Sequence, residues 1–266
     1  DWATIAYLRS VLHEETRFLL VDSPVTRNVI YQVDPAFYDR IKWIQEREVY
    51  HIKGSFTVAM RLSYEIPQGC CGAFDPLRQW LGEAHPHLPE KKTILYYQRN
   101  SPDATNGRVL ESNHEQEVLQ HIRNAMNRHN MDQELVIYNG MDPNTGTTMS
   151  IADQFKLFRS ARTIIGPHGS GIGGNFAWTN PFPTTCAERT QLLEFIPGKD
   201  TPQVHSHPYV THYSTIRKWP LDYHNILYAA ESTASNTYIN LQDLDDALRH
   251  MWGGGDPSLN SVLQTK

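Results

Sequence analysis

The residues of this sequence with the clearest chemistry stand at the ends of three apolar runs. Gly166-Pro167-His168-Gly169-Ser170-Gly171 follows the β-branched stretch Thr163-Ile164-Ile165. Glycines at such a turn let the backbone come close to a bulky anion, and a helix opening near Ser170 would present unpaired N–H groups with partial positive charge. His168 adds a ring that can give a hydrogen bond or a charge to a phosphate oxygen. The spacing is not the G-x-G-x-x-G of dinucleotide sites. Arg99 comes directly after a second run, Thr93 to Tyr97, and its fork of donors suits a diphosphate. Glu194 lies inside a third, Leu192-Leu193-Glu194-Phe195-Ile196. A carboxylate there is costly to bury unless it is paired, either by the cis hydroxyls of a ribose or by an internal ion pair. Together Arg99, the His168 turn and Glu194 describe a nucleoside-diphosphate site.

Weaker signals read as structural. Asp243-Leu244-Asp245 is a nominal D-x-D of the kind that holds a metal, but it opens a helix, where acidic residues suit the dipole. His205, His207 and His212 lack an evident further ligand for a metal. Trp178, Trp219 and Tyr223 have rings able to stack on a base or sugar, although aromatics more often fill cores. The three cysteines, Cys70, Cys71 and Cys186, are too few for a disulfide framework and leave the compartment open.

The elements that must position these groups are strands alternating with helices. Thr93–Tyr97, Leu135–Tyr138, Thr163–Ile165 and Leu192–Ile196 have strand composition. Asn113 to Asn130 carries Val118, Leu119, Ile122, Ala125 and Met126 on one helical stripe. A second helix, capped by Ser150, carries Ile151, Phe155 and Phe158. Such alternation means βαβ units and a parallel, Rossmann-like sheet, and open sheets of this class bind ligands at the carboxyl ends of their strands. Nearer the start, Arg17–Val21 reads as a strand, Pro35–Glu46 as a helix, Val49–Ile52 and Thr57–Leu62 as strands, and Ala73–Leu81 as a helix. The stretch from His85 to Lys92 is the best linker. This predicts an α/β protein of two lobes with a cleft between them: an N-terminal lobe over 1–90 and a second lobe over 91–240. A helix over 241–252 stopped by Gly253-Gly254-Gly255 and a tail over 253–266 follow.

The chain has 266 residues, 24 Lys+Arg against 29 Asp+Glu and a net charge of −5. That balance argues against a nucleic-acid partner. Gly and Pro, 16 each, are ordinary for a globular chain and exclude collagen-like or low-complexity readings. No apolar run approaches the ~20 residues that span a bilayer, and no signal peptide opens the chain. The sequence begins at Asp1 inside a fold-like pattern, which predicts a trimmed start and an incomplete N-terminal lobe, with any membrane anchor outside this segment.

At these residues the sequence resembles family 61 of the glycosyltransferases. The matching pieces are Gly72-Ala73-Phe74, Ile94-Leu95-Tyr96-Tyr97-Gln98-Arg99, and Arg108-Val109-Leu110 followed by Asn113 and Glu115. Phe158-Arg159-Ser160-Ala161 leading into Gly166–Gly171, and then Leu193-Glu194-Phe195, complete them. The resemblance implies a GT-B fold with a donor-binding C-terminal lobe and an inverting, metal-independent transfer from a nucleotide-sugar, a UDP-sugar, to a glycan or glycoprotein acceptor. It also implies a Golgi or endoplasmic-reticulum location. By that similarity Arg99 and His168 bind the diphosphate and Glu194 the ribose, and Arg108, Gly166, Gly169, Ser170 and Gly171 join the substrate-binding set.

Inversion needs a base to take the acceptor's proton while the nucleoside diphosphate leaves from the opposite face. Asp22, Glu65 and Asp75 are the candidates from the N-terminal lobe. Two other readings compete. One is a nucleotide- or glycan-binding relative that has lost the base. The other is a phosphotransfer or hydrolytic enzyme with His168 as nucleophile, for which the local sequence supplies no partner acid.

Overall fold

The computed structural model describes residues 2–47, 79–81, 83, 90–99, 109–169, 172, 178–179, 189–197, 221–228 and 238–253. The chain divides into two compact units, one of residues 1–88 with 149–155, the other of residues 89–148 with 156–266. The strands expected over 49–52 and 57–62, Cys70, Cys71, Cys186, Trp219, the three histidines of 205–212 and most of the linker lie outside the described residues.

In the first unit helix α1 (Trp2–Val11) precedes strand β1 (Phe18–Val21), helix α2 (Pro24–Val33), the short helix α3 (Pro35–Tyr38) and strand β2 (Ile41–Ile44). β1 and β2 pair in parallel, Phe18 opposite Ile41 and Val21 opposite Ile44. The helix expected over Pro35–Glu46 is therefore one turn followed by a strand. A helix through Ile41–Ile44 would leave the β1 backbone without these ladder partners, and buried backbone groups must pair. Ser23 and Pro24 start α2, with the Ser23 hydroxyl accepting from the Thr26 amide. Asp34 joins several pieces. Its Oδ1 accepts from the Phe37 amide at 2.9 Å, and its Oδ2 from Arg9 Nε at 2.7 Å and Trp80 Nε1 at 3.2 Å. Phe37 sits edge-on between Phe18 and Trp80.

The second unit is built on five parallel strands: β3 (Thr93–Tyr97), β4 (Glu134–Tyr138), β5 (Ala161–Pro167), β6 (Thr190–Pro197) and β7 (Leu221–Tyr228). Their spatial order is β4-β3-β5-β6-β7. Counted from β3 this is 2-1-3-4-5, a doubly wound order in which the chain reverses direction of assembly between β3 and β5. Helix α4 (Ser112–Arg128) connects β3 to β4, α5 (Ile151–Ser160) leads into β5, and α6 (Leu241–Trp252) closes the described chain. The residues of α5 up to Phe155 group with the first unit.

The expected stripe of α4 is the buried one. Val118, Leu119, Ile122 and Ala125 pack with Ile94, Tyr96, Ile165, Leu193 and Phe195 of the sheet and with Leu244, Leu248 and Trp252 of α6. Glu111 caps α4, its carboxylate accepting from the Asn113 and His114 amides at 2.9 and 3.0 Å. These donors hold its carboxyl below the ordinary value, the His114 amide most. At the amino ends of the strands Lys91 Nζ donates to Thr190 Oγ1 at 2.6 Å and to the Ala161 carbonyl at 3.0 Å, joining the starts of β3, β5 and β6. Asp245 of the nominal D-x-D accepts from Arg128 Nη2 at 3.0 Å and pairs with His121 Nδ1 at 3.2 Å, so it ties α6 to α4. Among the described residues no helix is long and apolar enough to cross a membrane.

Candidate functional site

Strands β3 and β5 are neighbours, and both site turns leave from their carboxyl ends. Arg99 stands two residues beyond β3 and His168 one residue beyond β5, at the reversal point of the sheet. Open α/β sheets form ligand crevices at this point, because the connections to either side run to opposite faces.

The backbone geometry explains two glycines. A Cβ on Gly166 would lie 2.6 Å from the Tyr97 carbonyl oxygen, so only glycine lets β5 run this close to the end of β3. A Cβ on Gly169 would lie 2.5 Å from Arg99 Nη1. The guanidinium occupies that space, and its Nη1 donates to the His168 carbonyl at 2.9 Å. Arg99, His168 and Gly169 are thus one contiguous group, as the sequence expects of a shared anion site.

The register of the sheet then supplies what the local sequence lacks. β5 and β6 align Gly166 with Glu194 and Pro167 with Phe195, and the His168 amide continues the ladder to the Phe195 carbonyl at 2.8 Å. His168 Nδ1 meets Glu194 Oε1 at 2.7 Å. From β7, Tyr223 donates its hydroxyl to Glu194 Oε2 at 2.8 Å. Glu194 is fully buried, and the His168 ring is only 8% exposed. Within the protein, one oxygen of Glu194 thus meets the His168 ring and the other accepts from Tyr223. The partner acid absent from the sequence around His168 is present after all, delivered from 26 residues away by parallel pairing. Tyr223 is a hydrogen-bond donor in this cluster, which the stacking expectation missed. Trp178 lies edge-on to Phe158 in the interior, 6% exposed, and its carbonyl accepts from Arg159 Nε at 3.0 Å.

A second buried carboxylate stands behind Arg99. Glu115, in the first turn of α4, accepts from the Tyr96 hydroxyl at 3.1 Å and from Gln98 Nε2 at 2.7 Å. Burial, with the nearby Glu115 charge, pushes the Tyr96 hydroxyl well above its usual range, so it serves as a donor. This pair anchors the strand end that carries Arg99.

Asp22, one of the candidate bases, is held within the first unit by side-chain hydrogen bonds. Arg27 grips it through two bonds, 2.5 and 2.8 Å, and Gln45 Nε2 donates at 3.0 Å. The Arg27 hydrogen bond holds its carboxyl below the usual range, which keeps it ionised near neutral pH. Glu65, Asp75, Arg108, Ser170 and Gly171 lie outside the described residues, and so does the expected helix opening at Ser170. Among the described residues no group of three His, Cys, Asp or Glu is arranged to hold a metal ion.

A mixed α/β protein with parallel, Rossmann-like sheets and its polar groups gathered at the reversal point is the class this geometry defines. The chain belongs to glycosyltransferase family 61: the family's model, Glycosyltransferase 61, matches residues 24–181. No curated protein matches the chain. The matched span includes Arg99, Arg108 and the whole turn from Gly166 to Gly171, and it stops before Glu194 and Tyr223. Membership implies glycosyltransferase activity, with a sugar donor and a glycan acceptor as partners.

Proposed function

We propose that the chain transfers a sugar, with inversion, from a UDP-sugar or related nucleotide-diphosphate donor to a hydroxyl of a glycan or protein acceptor, without a resident metal. In this reading it has a GT-B fold, with the second unit as donor lobe and the first as acceptor lobe, and its parent protein works in the Golgi or endoplasmic-reticulum lumen. The observation that carries the reading is the contiguous Arg99–His168–Gly169 group at the sheet's reversal point. Family membership supplies the reaction class.

The chemistry follows from charge. The acceptor oxygen bonds to the anomeric carbon as the bond from that carbon to the diphosphate oxygen breaks. The acceptor's proton passes to a base, and negative charge grows on the leaving diphosphate. Arg99 and His168 stabilise that charge, the oxyanion-hole principle applied to phosphate. Asp22, Glu65 and Asp75 are the candidates for that base, and of these Asp22 shows a commitment to Arg27.

That commitment also gives weight to a second reading, a nucleotide- or glycan-binding relative without catalytic power. Calorimetric titration with UDP in metal-free buffer tests the shared part. Micromolar binding is expected, weakened at least tenfold, the loss of one charge-assisted contact, in Arg99→Ala and in His168→Ala. A folded protein that binds no nucleoside diphosphate would sink the transfer reading and leave only a glycan-binding relative. Binding without hydrolysis or transfer of any UDP-sugar would favour the second.

A further inference from the structure

We propose that Glu194 and Tyr223 are positioning residues for His168, holding its ring in the Nδ1–H form so that Nε2 is the nitrogen that meets the donor's diphosphate. The assignment of the ligand rests on the donor-site reading above; the positioning itself rests on the geometry of β5, β6 and β7.

A fully buried carboxylate needs donors on its oxygens. Glu194 has His168 Nδ1 at 2.7 Å on Oε1 and the Tyr223 hydroxyl at 2.8 Å on Oε2. An ionised carboxylate only accepts, so Nδ1 carries the hydrogen. That is the reverse of free neutral imidazole, in which the Nε2–H tautomer prevails. A carboxylate behind an imidazole fixes both its tautomer and its orientation, as it does for metal-bound and catalytic histidines. When His168 takes up a second proton, Nε2–H becomes a donor for a phosphate oxygen, and Glu194 balances the added charge. Among the described residues, Arg99 from the end of β3 and Tyr223 from β7 also face this group.

Each of the three parts has a distinct duty. Tyr223 faces Leu192 in the register and reaches diagonally to Glu194, whose own opposite residue is Asn225. Its hydroxyl occupies the oxygen that His168 does not use. It thereby keeps the carboxylate from rotating away from the ring. Glu194 in turn gives the ring a fixed anchor on a central strand.

The test is long-range proton–nitrogen NMR of the imidazole signals of the 15N-labelled full chain, with His168 assigned through His168→Gln. The expected result is a neutral His168 in the Nδ1–H form. Glu194→Leu should shift it toward Nε2–H. Glu194→Gln, whose amide oxygen still accepts, should retain the Nδ1–H form but bind UDP about tenfold more weakly for want of the balancing charge. Tyr223→Phe removes one hydroxyl and keeps the ring packing, so it remains informative if Glu194→Leu does not fold. It should increase the Nε2–H fraction and weaken UDP binding about threefold to tenfold. A parent ring in the Nε2–H form, or a tautomer unchanged in both Glu194→Leu and Tyr223→Phe, would overturn the proposal. A parent with the Nδ1–H form that fails to bind UDP supports the positioning role and removes the donor reading instead.

Discussion

Gly166 and Gly169 are three residues apart in one turn, yet their replacement by alanine has opposite meanings. At Gly166 the added methyl meets the Tyr97 backbone carbonyl, which is held in a sheet and cannot give. Gly166→Ala should lower stability by about 1–3 kcal/mol, the usual range for overpacking, as read by chemical denaturation. At Gly169 the methyl meets the far end of the Arg99 side chain, which can swing away at little expense. Gly169→Ala should therefore keep its denaturation midpoint and lose about tenfold in UDP affinity, because Arg99 gives up its bond to the His168 carbonyl. Equal stability losses in the two variants would show that the Arg99 contact is merely structural. At this scale the sequence was half legible. Arg99 and His168 declare themselves by following strands directly. The bond between His168 and Glu194 does not, because only the pairing of β5 with β6 makes positions 26 apart adjacent. Asp22 ends a strand, and its pairing with Arg27 on the first turns of α2 was half legible, since the Ser23-Pro24 start signal for that helix is present in the sequence.

Helices and strands were legible in proportion to how one-sided they are. α4 and α6 carry buried stripes and acceptable caps, and both stand where their periodicity places them. β7 was missed because Asp222, His224 and Asn225 dilute an edge strand whose outer positions face solvent. β2 was absorbed into a helix because a four-residue strand offers too little pattern to show a period of two. The cap of α4 gives a prediction at this scale. Glu111 accepts from the His114 and Asn113 amides, which holds its carboxyl below the ordinary value of a free glutamate. A group with a depressed folded-state pKa contributes stability above its unfolded value and loses it as pH falls through the folded one. Glu111→Ala should thus melt below the parent at pH 7, and the gap should close below about pH 4. A gap that persists unchanged in acid would mean that the cap acts without its charge.

Across the molecule, the parallel arrangement of the second unit was readable from alternation alone, and its strand order was not. Sequence says that strands pair, but the choice of 2-1-3-4-5 among parallel orders is made by which helix covers which face, a matter of packing between distant segments. The order matters because it sets two different ends. At the carboxyl end lie Arg99, His168 and Glu194. At the amino end Lys91 draws together the starts of β3, β5 and β6. Lys91→Met should lower stability by about 2 kcal/mol, the worth of hydrogen bonds from a charged donor, and leave UDP affinity unchanged. A loss of affinity at constant stability would show that the two ends are coupled.

That separation has a consequence for how such a protein changes over time. Lys91 gives the sheet a clasp apart from the residues proposed to meet the donor, so change at the far rim need not imperil assembly. A library varied at the carboxyl rim, with Arg99, Gly169, Lys91, Thr190 and Ala161 left untouched, is the form in which altered donor preference should be sought.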